Sequence, residues 1–212
     1  MTGLTLHLSA QPGAWRVFAS RKQDPAFQKF SDRVFKRDSY TCQYCGFQAK
    51  DFQEVVNIDQ NYYNNKISNL VTACCFCSQC FFIDAVGLGD FGGGTLIFMP
   101  ELSQVELNAF CHALFCAITN ETAMKASAQS IYRTIKFRSQ QVEDQFGEGL
   151  STPAIFGQML IEQNFSDELV DEALKGVRLL PARGRFRMQL EHWAKTAMAE
   201  MTSMQRLRMN DI

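Results

Sequence analysis

Along LTLHL, residues 4–8, leucines alternate with polar positions at the two-residue period of a half-buried strand, and QPG follows as a turn. From Pro25 to Arg37 the period lengthens. Phe27, Phe30, Val34 and Phe35 fall at helical spacing and predict one amphipathic helix. The apolar run VVNI predicts a strand, DQNYYNNKISN a loop of turn-favouring residues, and the cysteine-rich stretch after it a short helix. VGLGDFGGGTLIFMP, residues 86–100, reads as a glycine loop feeding the strand TLIFM, which a proline ends.

From Glu101 onward the period is helical. Ser103 is placed to cap QVELNAFCHALFCAI, and residues 121–145 form a second long segment with Met124, Ile131, Ile135 and Val142 on its apolar side. Further helices are expected at about 153–163, 166–176 and 185–208, and no internal repeat is present. The pattern predicts an α+β N-terminal region over 1–100 and a mainly helical region over 101–212.

A chain of 212 residues with 46% hydrophobic content can bury one sizeable core, or a small metal-stapled module continuous with a helical body. The formal net charge of −1 gives no overall reason to expect polyanion binding. No apolar run approaches the roughly 18 residues a membrane span needs, and the first residues lack the pattern of a signal peptide, so a cytoplasmic protein is expected.

In a reducing compartment, clustered cysteines are read as thiolate ligands before disulfides. Two Cys-x-x-Cys pairs, Cys42 with Cys45 and Cys74 with Cys77, are separated by 28 residues and supply the four tetrahedral ligands that zinc prefers. CQYCG has the form of a zinc knuckle, with Gly46 free to take a left-handed backbone. The second pair is ambiguous by spacing alone, since Cys77 and Cys80 match as well and Cys75 lies between. Cys111 and Cys116, isolated on an apolar helix, read as small buried hydrophobes.

The segments VFKRDSYTCQYCG, EVVNIDQNYYNN and SNLVTACCFC together resemble the HNH endonuclease module over about residues 32–82, a zinc-stapled ββα unit. Matching Asn69, Leu70 and Val71 to that family's Asn-Leu-Val implies zinc ligands at Cys42, Cys45, Cys74 and Cys77, with Cys75 and Cys80 left over. The departures bear on catalysis. Where the family carries its histidine base the chain has Val56 and Asn57, and after the fourth cysteine it has Ser78. Asparagine does not take up a proton near neutral pH, and valine offers no lone pair. The three histidines, His7, His112 and His192, all lie outside the module. Asp59 is a solvated loop carboxylate on this reading, and Asn69 shapes the loop by hydrogen bonding.

The degenerate strand, NLVTACCFCSQCFF and the helical tail together are also similar to a cytoplasmic component of the Dot/Icm type IVB secretion system of intracellular bacterial pathogens. That resemblance implies a non-catalytic subunit of a coupling complex at the inner membrane. Its implied partners are the C-terminal extension of the coupling ATPase DotL, DotM and the IcmS and IcmW adaptors, and its implied role is effector recruitment. Phe76, Phe81 and Phe82 are candidates either for a docking face or for packing beneath the module, and Met198, Met201 and Met204 for a partner-binding helix or for core. A metal-dependent nuclease with a relocated base, and a non-enzymatic nucleic-acid-binding module, stand as alternatives.

Two signals carry less. GLGDFG satisfies Gly-x-Gly-x-x-Gly but leads to a strand rather than opening a helix, unlike a dinucleotide site. Residues 16–37 hold seven Lys or Arg, and RLLPARGRFR holds Arg178, Arg183, Arg185 and Arg187, which read as a solvated face or as ion pairs rather than phosphate contacts.

Overall fold

The computed structural model describes residues 4–163 and 165–210, with side chains described through 199 except at 167. Its elements in order are α1 (Ala14–Lys22), α2 (Pro25–Arg37), β1 (Gln53–Asn57), β2 (Leu70–Cys74), α3 (Cys75–Ser78), β3 (Gly94–Phe98), α4 (Gln104–Thr119), α5 (Lys125–Lys136), α6 (Ser139–Phe146), α7 (Pro153–Gln163), α8 (Asp167–Ala173), β4 (Val177–Pro181) and α9 (Arg187–Asn210). Short 3-10 turns join several of them.

Local chemistry explains where the helices start. Asp24 accepts from the Ala26 amide (2.9 Å) and Pro25 fills the first position of α2. Ser103 and Glu106 form a reciprocal capping box at the head of α4. The apolar side of α2 contributes Val34 to a small core with Val55 and Leu70, flanked by Phe27, Phe30 and Phe35. One larger core runs from Leu6 to Leu190 and joins Phe76 and Phe82 to Phe115, Phe156, Leu96 and Leu179, from both sides of residue 100.

β1 and β2 pair antiparallel with Gln53 opposite Cys74 and Asn57 opposite Leu70. β3 pairs antiparallel with β4, Leu96 opposite Leu179, across some eighty residues of sequence. The side chain of Gln104, 3% exposed, extends that ladder sideways: its Nε2 donates to Leu179 O (2.9 Å) and its Oε1 accepts from Leu179 N (2.8 Å).

Two expectations change, at LTLHL and at 121–145, and two elements appear, α1 and β4, that the sequence pattern did not announce. LTLHL is not a strand: Leu6 and Leu8 are buried as the alternation requires, but among the described residues the backbone hydrogen bonds to the rest of the chain come just after it, at Ser9, whose N–H donates to Cys80 O and whose carbonyl accepts from Ile83 N. An extended segment without a ladder keeps the burial pattern and loses the strand. α1 follows the QPG turn, where Gly13 is left-handed (φ 75°), and its apolar positions are too scattered to announce a helix. The segment 121–145 is two helices that meet at Phe137 and Arg138. RLLPARGRFR supplies β4 and a 3-10 turn before α9, because β3 offers it a partner edge. Its arginines mostly serve the chain itself: Arg178 Nε donates to Leu102 O (2.6 Å), Arg185 Nε to Gly92 O (3.0 Å), and Arg187 pairs with Glu191 (2.7 Å). Met201 and Met204 lie outside the described side chains, while Met198 is largely exposed.

α7 crosses the turn at Ile83–Ala85 at Gly157, where a Cβ would lie 2.4 Å from the Asp84 backbone nitrogen. Backbone cannot yield as a side-chain tip can. Gly157→Ala is expected to cost about 1–3 kcal/mol, read as a lower urea midpoint with an unchanged slope.

Candidate metal centre

The first cysteine pair sits on a loop closed by the Thr41–Gln48 bridge. Cys42 N donates to Phe47 O (2.9 Å) and Gly46 N to Cys42 O (3.0 Å), and Gly46 takes the left-handed conformation (φ 75°) that this tight return needs. The second pair straddles a junction. Cys74 ends β2 and Cys77 lies in the single turn of α3, so both thiols face the same side.

Gln43 N donates to Thr72 O (2.9 Å) and docks the loop on β2. Arg37 and Asp38 brace the same strand: Arg37 reaches Ile67 O (2.8 Å) and Leu70 O (2.6 Å), and the Asp38 carboxylate accepts from Thr72 N (2.8 Å).

The result is a cluster in which the sulfurs of Cys42, Cys45, Cys74 and Cys77 all lie within 4.8 Å of one another. Tetrahedral metal–sulfur bonds of about 2.3 Å place sulfurs about 3.8 Å apart, so four thiolates here fit one soft tetrahedral ion. Without an ion the set is electrostatically awkward. Hydrogen bonds from Cys45, Cys74 and Cys77 hold the Cys42 thiol far below its ordinary value, while burial pushes Cys74 and Cys77 well above theirs. Burial opposes the thiolate form at Cys74 and Cys77, and a cation bound among the sulfurs offsets that cost.

Cys75 and Cys80 stand outside the four. Cys80, fully buried, donates to Phe76 O (3.3 Å), and Cys75 is half-buried at the start of α3.

A layer from α4 covers the second pair. Asn108 Nδ2 lies 3.3 Å from Cys77 Sγ, and His112 Nε2 lies 3.3 Å from Cys74 Sγ. The His112 ring is sandwiched between Phe47 (centroids 3.7 Å apart, 6° between planes) and Phe76 (4.2 Å, 20°). Burial lowers its pKa to about 3, so the imidazole is neutral. Trp193 of α9 packs edgewise on Phe47, and its Nε1 donates to Asp51 O (3.1 Å), beside the His192–Asp51 contact of 2.9 Å. His112, which lies outside the module in sequence, and Asn108, which no motif singles out, are thus brought onto the second cysteine pair. Their four-residue separation on one helical face was visible, but its target, more than 30 residues away, was not.

The loop matched to a nuclease centre is built differently. Val56 is fully buried in the core. Asn57 is also fully buried; its Oδ1 accepts from Arg21 Nη1 (2.6 Å) and its Nδ2 donates to the carbonyls of Asn61 and Asn64 (2.8 Å each). The same guanidinium donates to Val55 O (2.9 Å) and Asn65 Oδ1 (3.0 Å) and lies over the rings of Phe27 and Tyr62. Burial lowers the Arg21 pKa to about 10, which leaves it charged at neutral pH.

Asn69 donates to Asp59 Oδ1 (2.8 Å) and Asn64 O (3.0 Å), holding the loop. Ser78 is buried, with its hydroxyl toward Cys75 O (3.4 Å). His7 is exposed. Phe76, Phe81 and Phe82 are 0%, 4% and 0% exposed, so they pack beneath the module and form no open docking face. No helix among the described residues is long and apolar enough to cross a membrane.

No protein-family model matches the chain. It is similar to the type 4 apparatus protein DotN of Legionella pneumophila subsp. pneumophila, with 57% identity over 197 residues, which are 92% of this chain and 92% of that one.

Proposed function

The chain belongs to the DotN family of type 4 apparatus proteins, and on that premise we propose that it is a non-catalytic, zinc-stabilised interaction subunit of a type IV secretion coupling complex. Its zinc is structural, one ion held by Cys42, Cys45, Cys74 and Cys77, all four positions closed by thiolate and none left for water. The module over about 32–82 is a degenerate HNH-like frame within an N-terminal region of 1–100, and 101–212 is the helical body fused to it. The partners are the C-terminal extension of the coupling ATPase DotL, DotM and the IcmS and IcmW adaptors. The protein works on the cytoplasmic side, held at the inner membrane by that complex.

The observation that carries the non-catalytic reading is Asn57. At the position matched to a base stands a buried amide whose oxygen and nitrogen are both engaged, with the Arg21 guanidinium against it. A guanidinium stays protonated and cannot accept a proton from water. A cationic side chain inside that loop also opposes a divalent ion at the same place.

Purified protein mixed with the C-terminal extension of the coupling ATPase is expected to co-elute as a complex. It is expected to leave supercoiled plasmid intact in magnesium or manganese. Nicking that disappears in Asn57→Ala would sink this reading in favour of a nuclease. Duplex binding that weakens steeply with salt, without cleavage, would favour a nucleic-acid-binding module.

A further inference from the structure

Four thiolates around a divalent ion leave two net negative charges, and in this fold they are packed inside protein, with Cys42, Cys74 and Cys77 at most 1% exposed. N–H donors close to the sulfurs offset such charge where water cannot. The cysteine module is not where two of these donors originate. Asn108 and His112 are one helical turn apart on α4, and Cys74 and Cys77, their targets, are nearly one turn apart across the β2–α3 junction.

The orientation of both groups is set by their other contacts. A thiolate only accepts, so the His112 Nε2 facing Cys74 carries the proton, and the Phe47 and Phe76 faces keep the ring plane from turning away. Asn108 is oriented by a relay that begins in the other sheet. Leu179 N donates to Gln104 Oε1 (2.8 Å), which turns Gln104 Nε2 toward Asn108 Oδ1 (2.9 Å). That leaves Asn108 Nδ2 to face Phe76 O (3.2 Å), Cys77 Sγ (3.3 Å) and, at longer range, Cys80 Sγ (3.9 Å). Gln104 and Asn108 are 3% and 0% exposed, so water does not compete for these bonds.

We propose that α4 is the outer layer of the metal centre: the His112 and Asn108 N–H groups donate to the Cys74 and Cys77 thiolates and set how tightly the ion is held. This rests on the reading of the four cysteines as a metal site. His112 and Asn108 are positioning residues that act through the ligand sulfurs and do not touch the ion. The helical body therefore adds to the binding constant of a centre whose ligands all lie in the N-terminal half. A sulfur that shares its electron density with an N–H donor is also a weaker nucleophile, so the same contacts slow attack by electrophiles.

The full chain, labelled with nitrogen-15 and loaded with cadmium-113, tests the contacts without mutation. Scalar correlations from the metal to the His112 Nε2–H and the Asn108 Nδ2–H protons are expected across the N–H···S bonds. Their absence in a cadmium-loaded protein overturns the proposal while the metal site stands; a protein that takes up neither cadmium nor zinc overturns both. His112→Phe keeps a ring between Phe47 and Phe76 and removes the N–H, and it should weaken zinc binding by about 10–100-fold in chelator competition. His112→Gln places an amide N–H near the same point and should recover most of that loss. Equal weakening in both variants, or wild-type affinity in His112→Phe, overturns the proposal. If His112→Phe does not fold, the cadmium correlations decide.

Discussion

Cys77→Ser is expected to abolish stoichiometric zinc and to unfold the module. Apparent binding energies for structural zinc are about 10–16 kcal/mol near neutral pH, against a total domain stability of about 5–15 kcal/mol, so loss of the ion removes more than the fold has to spare. The thiol is fully buried and shares its cluster with three others, so no solvent ligand can replace it. Metal analysis should read no bound ion, and Trp193, which packs against Phe47 on the loop bearing the first pair, should report the loosening by fluorescence. Cys42→Ser should behave alike.

The control is Cys80→Ser, because Cys80 has the alternative spacing but donates to Phe76 O outside the cluster of four; it should keep its zinc. Zinc retained by Cys77→Ser and lost by Cys80→Ser would reverse the ligand assignment. The pH dependence has a definite sign. Burial raises the Cys74 and Cys77 thiols in the free cluster, so binding must expel their protons and affinity falls as pH falls.

Phe76→Ala has the second-largest expected effect, about 3–5 kcal/mol of stability. Phe76 is fully buried where the module meets the helical body, with His112 at 4.2 Å, Phe186 at 4.8 Å and Phe115 at 5.7 Å between ring centroids. Removing it empties the joint between α3, α4 and the turn before α9, and it deprives the His112 ring of one of its two stacking faces. The urea midpoint should fall steeply and the Trp193 signal should change with it, whereas Phe76→Leu should lose far less. If Phe76 were instead a docking residue, Phe76→Ala would weaken partner binding and leave the urea midpoint alone.

Much of the local structure was legible because it is written in short-range chemistry. Asp24 and Pro25 start α2 and Ser103 with Glu106 starts α4, each by a bond within three residues. The β1 and β3 strands and the α7 and α9 helices follow from their apolar runs and helical periods. β4 was not legible, since VRLLP is a strand only because β3 lies beside it. LTLHL failed for the opposite reason, having the right alternation and no ladder.

The candidate centre divides in the same way. Two Cys-x-x-Cys pairs announce themselves by spacing, and spacing alone did not choose Cys77 over Cys80. The difference between them is tertiary: Cys77, in the turn of α3, lies in the cluster of four sulfurs, whereas Cys80, in the 3-10 turn that follows, donates to the Phe76 carbonyl.

By itself, then, the sequence determined which residue types could hold a metal, that Val56 and Asn57 offer no base, and where most helices begin, because capping, periodicity and ligand spacing act over a few residues. Tertiary structure alone decided that Arg21 fills the loop beside Asn57, that Phe76 is core, and that His112 and Asn108 reach the Cys74 and Cys77 sulfurs. Those contacts join residues more than 30 positions apart, and only packing of the whole chain brings such groups within hydrogen-bonding distance.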